Sequence, residues 1–386
     1  MRRRGWSMAA AVVTGLLAVP LPAAAGQAEP VPGELPALPN PAGGCVPASS
    51  TVQRGQGWAQ ARMAAPTVWP LTAGDGVTVA VLDTGVSPAA PALAGAVLAG
   101  VDVVGPGRGD SDCLGRGSFL AGLVAGRPVA GTDFAGVAPA ATILPVRVTD
   151  ARGKLTADTI AAGLRAAVTG GARVVLIATS VPASSVALRD AVDLAVSRDV
   201  VVVAAVAAGS GTAAPPVDAG YPARYAPVLA VAGVSPGGGL VERSAPADLV
   251  APGDDAVSVG PSGTGHYTGS GNGVAAAYVA GAAALVRSYH PALPAAEVAR
   301  RLTATAAPLT AAGTGAGLVD GYDAVAAVEV GAAPGVPPAG SVALPGVPAR
   351  PAAPGRALTV TALLLIAVTV TVVAVTVTRI RRRLPG

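Results

Sequence analysis

The sequence predicts an α/β fold, a parallel sheet covered by helices on both faces. Two observations predict it. Short Val-rich runs recur between residues 77 and 234, as strands buried on both faces do. Helical patterns separate them, and strand–helix alternation argues for a parallel sheet.

In chain order, Val77–Leu82 follows Gly76 and runs into Asp83-Thr84-Gly85, which reads as a buried strand ending in a turn. Ile143–Val148, Arg173–Thr179, Val200–Ala205 and Val228–Val234 are further strands. Ala157–Thr169, Ser184–Ser197 and Val274–Tyr289 read as helices, the last ended by Pro291. Sites in parallel sheets form at the carboxyl ends of strands, where Asp83 stands. A lone Asp after a strand is more often a turn residue, so Asp83 carries little weight by itself.

The chain has 386 residues, room for one large domain plus targeting segments. The net charge of +4 misleads. Arg2, Arg3 and Arg4 sit at one end, and Arg379, Arg381, Arg382 and Arg383 at the other. Setting those seven aside leaves 19 of the 26 basic residues against 22 acidic ones, all between the ends, so the body carries −3. The pI near 9.4 is therefore a signature of targeting. No basic stripe with interleaved aromatics is present, which excludes nucleic acid as a partner.

Residues 1–25 read as a signal peptide: three arginines, an apolar stretch around Ala9–Val19, and Ala23-Ala24-Ala25 before Gly26. The alternative is an uncleaved anchor. At the other end, Leu358–Thr378 is an uncharged apolar run of 21 residues. As a helix it spans about 31 Å, the thickness of a bilayer core. Arg379-Ile380-Arg381-Arg382-Arg383 follows at once, which puts the C-terminus in the cytoplasm and the body outside. The expected layout is signal peptide 1–25, N-terminal extension 26–70 (Pro-rich at its start), main domain 71–330, Pro/Gly/Ala-rich linker 331–356, transmembrane helix 357–378 and cytoplasmic tail 379–386. The linker cannot build a core and reads as an extended spacer. Two cysteines exist, Cys45 and Cys113, and an exported chain with an even count predicts one disulfide between them, the alternative being two free thiols.

Several stretches resemble one family. Gly57-Trp58-Ala59-Gln60, Val68-Trp69-Pro70-Leu71 and Gly76 through Val86 resemble the start of the mycosins, subtilisin-like (peptidase S8), membrane-anchored serine proteases of type VII secretion systems. Gly136–Ala141 with Pro145–Val148, Gly220–Ala223, Ala251–Gly253 and Ala275–Gly281 are similar too. The resemblance covers roughly residues 45–328 and implies a subtilisin-like sheet flanked by helices.

The chemistry departs from that pattern. A serine protease needs a nucleophile, a base, a carboxylate that orients the base, and oxyanion donors. Asp83 falls on the family's Asp position. Where the family reads Asp-Gly-His-Gly-Thr, this chain reads Cys113-Leu114-Gly115-Arg116-Gly117-Ser118, so Arg116 takes the His position. Where the family reads Gly-Thr-Ser, this chain reads Gly271-Asn272-Gly273, so Gly273 takes the Ser position. The run Ala204–Ser210 lacks the family's oxyanion Asn; only Asn40 and Asn272 exist in the chain. The two histidines, His266 and His290, have no motif around them and read as surface residues; Ser118 and Ser270 read as turn or cap groups. If the fold is kept, Arg116 and Asp83 should meet as an ion pair; the alternative sends Arg116 to solvent.

The resemblance and these departures imply a pseudoprotease that acts as a structural partner of the type VII secretion membrane complex. The competing readings are an active serine endopeptidase and a decoy that holds extended peptides in the cleft. No cofactor is expected, and no Asp-rich loop argues for calcium.

Overall fold

A computed structural model describes residues 35–39, 44–208 and 220–328. Seven strands form one parallel sheet: β1 (Thr78–Asp83), β2 (Val101–Asp102), β3 (Thr142–Arg147), β4 (Val174–Ile177), β5 (Val201–Ala205), β6 (Leu229–Val234) and β7 (Leu249–Pro252), in the order β2-β3-β1-β4-β5-β6-β7. Register places Asp83 opposite Arg147 on β3 and Leu82 opposite Ile177 on β4. An antiparallel hairpin, β8 (Ala256–Val259) and β9 (His266–Gly269), stands apart from the sheet.

The unbroken apolar runs have a simple cause. Side chains alternate across a strand, and here both faces are covered. Val79 and Val81 of β1 belong to one core and Ala80 and Leu82 to the other; Val174 and Leu176 of β4 split from Val175 and Ile177 in the same way. The helices α3 (Ala157–Thr169) and α4 (Val186–Ser197) close one face. The helices α2 (Arg116–Ala125) and α5 (Asn272–Tyr289) close the other, together with α1 (Trp58–Met63) and, past α5, α6 (Ala295–Ala304) and α7 (Gly321–Ala326).

Caps set the ends. Thr156 accepts from the Thr159 amide and Thr159 returns a bond to the Thr156 amide, a capping box before α3. Ser185 accepts from Leu188, so the second predicted helix begins at Val186 rather than Ser184. The α5 helix is buried from Val274 through Arg287 and is half alanine there, which lets it approach the sheet closely. Its Gly281 is required: a Cβ there would stand 2.7 Å from the Val137 side chain.

The N-terminal segment joins this body. Ala59, Met63 and Val68 lie in the core cluster. Cys45 and Cys113 form a disulfide with Cα atoms 4.3 Å apart, and the Val46 amide donates to the Cys113 carbonyl at 2.8 Å. Farther along, Gly265 donates to Ser49 and His266 to Thr51, laying the segment beside β9.

The predicted signal peptide (1–25), linker (331–356), membrane span (357–378) and tail (379–386) lie outside the described residues. Among the described residues no helix is long and apolar enough to cross a membrane.

Candidate functional site

At the carboxyl ends of β1, β4 and β5 a cleft of about 1060 Å³ opens, lined among others by Thr84, Arg116, Ala178, Glu242, Asn272 and Gly273. It has an Asp–Arg side and a helix-terminus side.

Asp83 ends β1 and is fully buried. One of its oxygens accepts from the Thr84 amide at 2.9 Å. Arg116, the first residue of α2, meets it as a fork: Nε lies 2.9 and 3.1 Å from the two carboxylate oxygens and one terminal nitrogen 2.7 Å from Oδ2. The predicted ion pair is thus present. Such a bidentate bond satisfies a buried carboxylate far better than a point charge does. The Arg116 side chain remains 39% exposed, against 0% for Asp83, so the guanidinium both covers Asp83 and faces the cleft. Burial works against its charge, but the attraction and hydrogen bonds of Asp83, with the nearby Asp112, together outweigh it and raise its pKa. It stays a cation at every working pH and offers no lone pair to a proton.

A second carboxylate, unremarked in the sequence, positions Arg116. Asp112 is buried and accepts from the amides of Gly115 and Ser118 at 2.8 Å, capping α2. Thr84 donates to Asp112 at 2.8 Å and accepts from the Gly117 amide at 2.9 Å, tying β1 to the start of α2. Burial pushes the Asp112 carboxyl above its usual range, against the pull of its bonds to Ser118, Thr84 and Gly115. Gly115 sits at φ 78°, which favours glycine. The spacing Asp112-x-x-Gly115-x-x-Ser118 is the signal that could have revealed this cap.

On the other side, α5 opens at Gly271, φ 123°. The Glu242 carboxylate accepts from the Asn272 amide at 2.9 Å, placing a negative charge at the positive end of an 18-residue helix. Asn272 is buried; its Nδ2 donates to the Val206 carbonyl at 3.1 Å and to Ser244 at 2.8 Å, while its Oδ1 accepts from Gly233 at 2.9 Å. Its amide protons are therefore committed to the protein.

Gly273 follows within the first turn. A Cβ built on it would stand 2.4 Å from the Ala178 carbonyl oxygen, just past β4. No side chain fits there unless backbone moves.

The structure does not bring the other candidates into play. Ser118 is fully buried and accepts from the Ser87 amide. Ser270 does line the cleft, but its hydroxyl accepts from the Asp255 amide and donates to Asp254, a turn role. His266 is a correction to the surface assignment. It is only 2% exposed, its Nδ1 accepts from the Gln53 amide at 3.0 Å, and its ring packs 5.2 Å from that of Phe134. A buried, neutral imidazole gives no sequence signal apart from its partners. His290 is half-buried, with Nε2 2.9 Å from the Val325 carbonyl. Neither histidine lines the cleft. Residues 209 and 210, at the end of the expected oxyanion run, lie outside the described residues.

The comparisons agree with this architecture. The Subtilase family, Peptidase S8, matches residues 74–325. The chain belongs to the subtilase family. Within it the chain is homologous to the mycosins: it is 34% identical to Mycosin-3 of Mycobacterium tuberculosis (strain ATCC 25618 / H37Rv), over 83% of this chain and 79% of that relative. It is 35% identical to Subtilisin DY of Bacillus licheniformis over 61% of this chain and 85% of that enzyme. Among solved structures, MycP3 protease from the type VII (ESX-3) secretion system superposes with a TM-score of 0.63 at 31% identity, covering 73% of this subtilase and 91% of the other chain. MycP1 from the ESX-1 type VII secretion system gives 0.66 at 26% identity, covering 79% and 92%.

Proposed function

We propose that this chain is a mycosin-like pseudoprotease, a non-catalytic structural partner of a type VII secretion membrane complex. It is exported by residues 1–25 and held by a span at 357–378, with its tail (379–386) in the cytoplasm and its subtilisin-like body outside. Arg116 stands at the family's His position, Asp83 at the Asp position and Gly273 at the Ser position.

The observation that carries this reading is the seat of the nucleophile. Gly273 brings no side chain, and the Ala178 carbonyl oxygen lies 2.4 Å from where a Cβ would be. Arg116 supports it, since its guanidinium is clamped on Asp83 and can take no proton from a nucleophile. Asn272 supports it as well, because its amide is spent on Val206 and Ser244 and offers no oxyanion donor. In subtilisin, loss of Ser or His alone lowers kcat about 2 × 10⁶-fold. The partner assignment rests on the relatives, whose structures are described as parts of type VII secretion systems.

The test is co-purification. The tagged full-length chain, extracted from membranes in mild detergent, is expected to bring down membrane proteins of a type VII secretion system. A chain truncated before residue 357 is expected in the medium, without them. A full-length chain that purifies alone, or that is released uncleaved into the medium, contradicts the reading. The open cleft supports one second reading, a holder of extended peptides. Saturable binding of a peptide that is never cut distinguishes it.

A further inference from the structure

Among the described residues three charged side chains line the cleft: Arg116, Arg152 and Glu242. Glu242 is turned to the start of α5, where its Oε2 accepts from the Asn272 amide. Asp83 lies behind Arg116, fully buried. Arg152 is exposed on the loop after β3. Leu114, Phe119 and Leu120 line the same cleft, and apolar walls strengthen the field of a charge they flank.

Arg116 uses only part of its hydrogen-bonding capacity. A guanidinium carries five N–H donors in one plane. Two of them serve Asp83: the Nε–H is shared between both carboxylate oxygens, and one Nη2–H points at Oδ2. The edge between Nε and Nη2 is thus occupied. The edge between Nη1 and Nη2 has no partner among the described residues, and Nη1 is open to solvent. That second edge offers another parallel pair of donors, turned away from Asp83. Because Asp83 already fixes the guanidinium, a ligand that meets the free edge has little rotamer freedom to quench.

We propose that this free edge makes the cleft a receptor for a carboxylate carried by a peptide. The inference rests on the reading of the cleft as a holder of extended peptides. Two parallel N–H groups match the two oxygens of a carboxylate, and a charged acceptor binds about twice as strongly as the carbonyls along a peptide. Arg116 then bridges two carboxylates, one of the protein and one of the ligand. The ligand's carboxylate comes either from an Asp or Glu side chain or from the end of a chain.

The experiment titrates N-dansylated alanine hexapeptides into the detergent-solubilised full-length chain and reads fluorescence anisotropy. One peptide ends in a free carboxylate. One has a central Glu and an amidated end, and the control has Gln in place of that Glu. At least one acidic peptide is expected to bind about tenfold tighter than the control. A preference for the Glu peptide assigns the group to a side chain, and one for the free-ended peptide to a chain end. The preference is expected to disappear in Arg116→Lys, which keeps a cation for Asp83 but has no second edge. It is also expected to disappear in Arg116→Gln combined with Asp83→Asn, which leaves no buried charge unpaired. Arg152→Ala, on an exposed loop, keeps the fold and is expected to keep the preference. A preference that survives a folded Arg116 variant, or that is lost in Arg152→Ala, overturns the proposal. Equal binding of all three peptides overturns it and leaves the holder reading standing. No binding of any peptide, or recovery of cut peptide, overturns both.

Discussion

At the scale of single residues, the site turns on what Asp83 and Gly273 touch. Asp83 is fully buried, and Arg116 answers its carboxylate with a fork. Arg116→Ala is expected to destabilise the domain by about 2–3 kcal/mol in urea unfolding, below the roughly 3–5 kcal/mol of a fully buried pair because Arg116 is itself 39% exposed. Arg116→Lys keeps the charge but loses the fork and should fall between. At Gly273 the added Cβ meets the Ala178 carbonyl at 2.4 Å. Gly273→Ser should therefore cost about 1–3 kcal/mol through overpacking, measured the same way. Unchanged stability in either variant contradicts the geometry. The Asp83–Arg116 pair was legible in the sequence because the family pattern puts both residues at one point. The obstruction at Gly273 was not, since it depends on where the backbone past β4 runs. Asp112 and Glu242 were missed because a cap declares itself only once the helix it caps is placed.

At the scale of elements, the strands were legible and several helices were not. The β1, β3, β4, β5 and β6 strands fall within two residues of the Val-rich runs, because burial on both faces leaves little room for anything but apolar side chains. The α2 helix escaped notice for the same reason. It is buried from Gly117 to Ala125, so no polar face marks its period, and its sequence includes Gly117 and Gly122. Burial holds it in place against its weak propensity. The β9 strand carries a testable device in His266. Burial depresses its pKa below the ordinary 6.5, and Nδ1 must stay unprotonated to accept from Gln53. A depressed pKa contributes stability that is full above pH 6.5 and lost as pH falls through the lowered value. Urea midpoints should therefore decline below pH 6.5, and His266→Gln should flatten that decline. A decline of the same size in the variant assigns it to other groups.

At the scale of the whole molecule, a chain with only 3% aromatic residues builds its core from Ala and Val packed around α5 and pins its N-terminal segment covalently. The Cys45–Cys113 bridge joins residues 68 apart, a closure worth about 4 kcal/mol in the chain-entropy account. Cys45→Ser with Cys113→Ser should lower stability by about that amount, and a change below about 1 kcal/mol contradicts the account. The pairing was legible from an even cysteine count in a chain expected to be exported. The central claim concerns the chemistry, and fluorophosphonate labelling of the purified full-length chain beside an active mycosin tests it most directly. The account predicts a labelled mycosin and no adduct on this chain. It also predicts none on an Arg116→His, Gly273→Ser double variant, whose new hydroxyl has to displace the Ala178 backbone to be seated. A stoichiometric adduct on the wild-type chain contradicts the account, and the labelled residue is then the nucleophile.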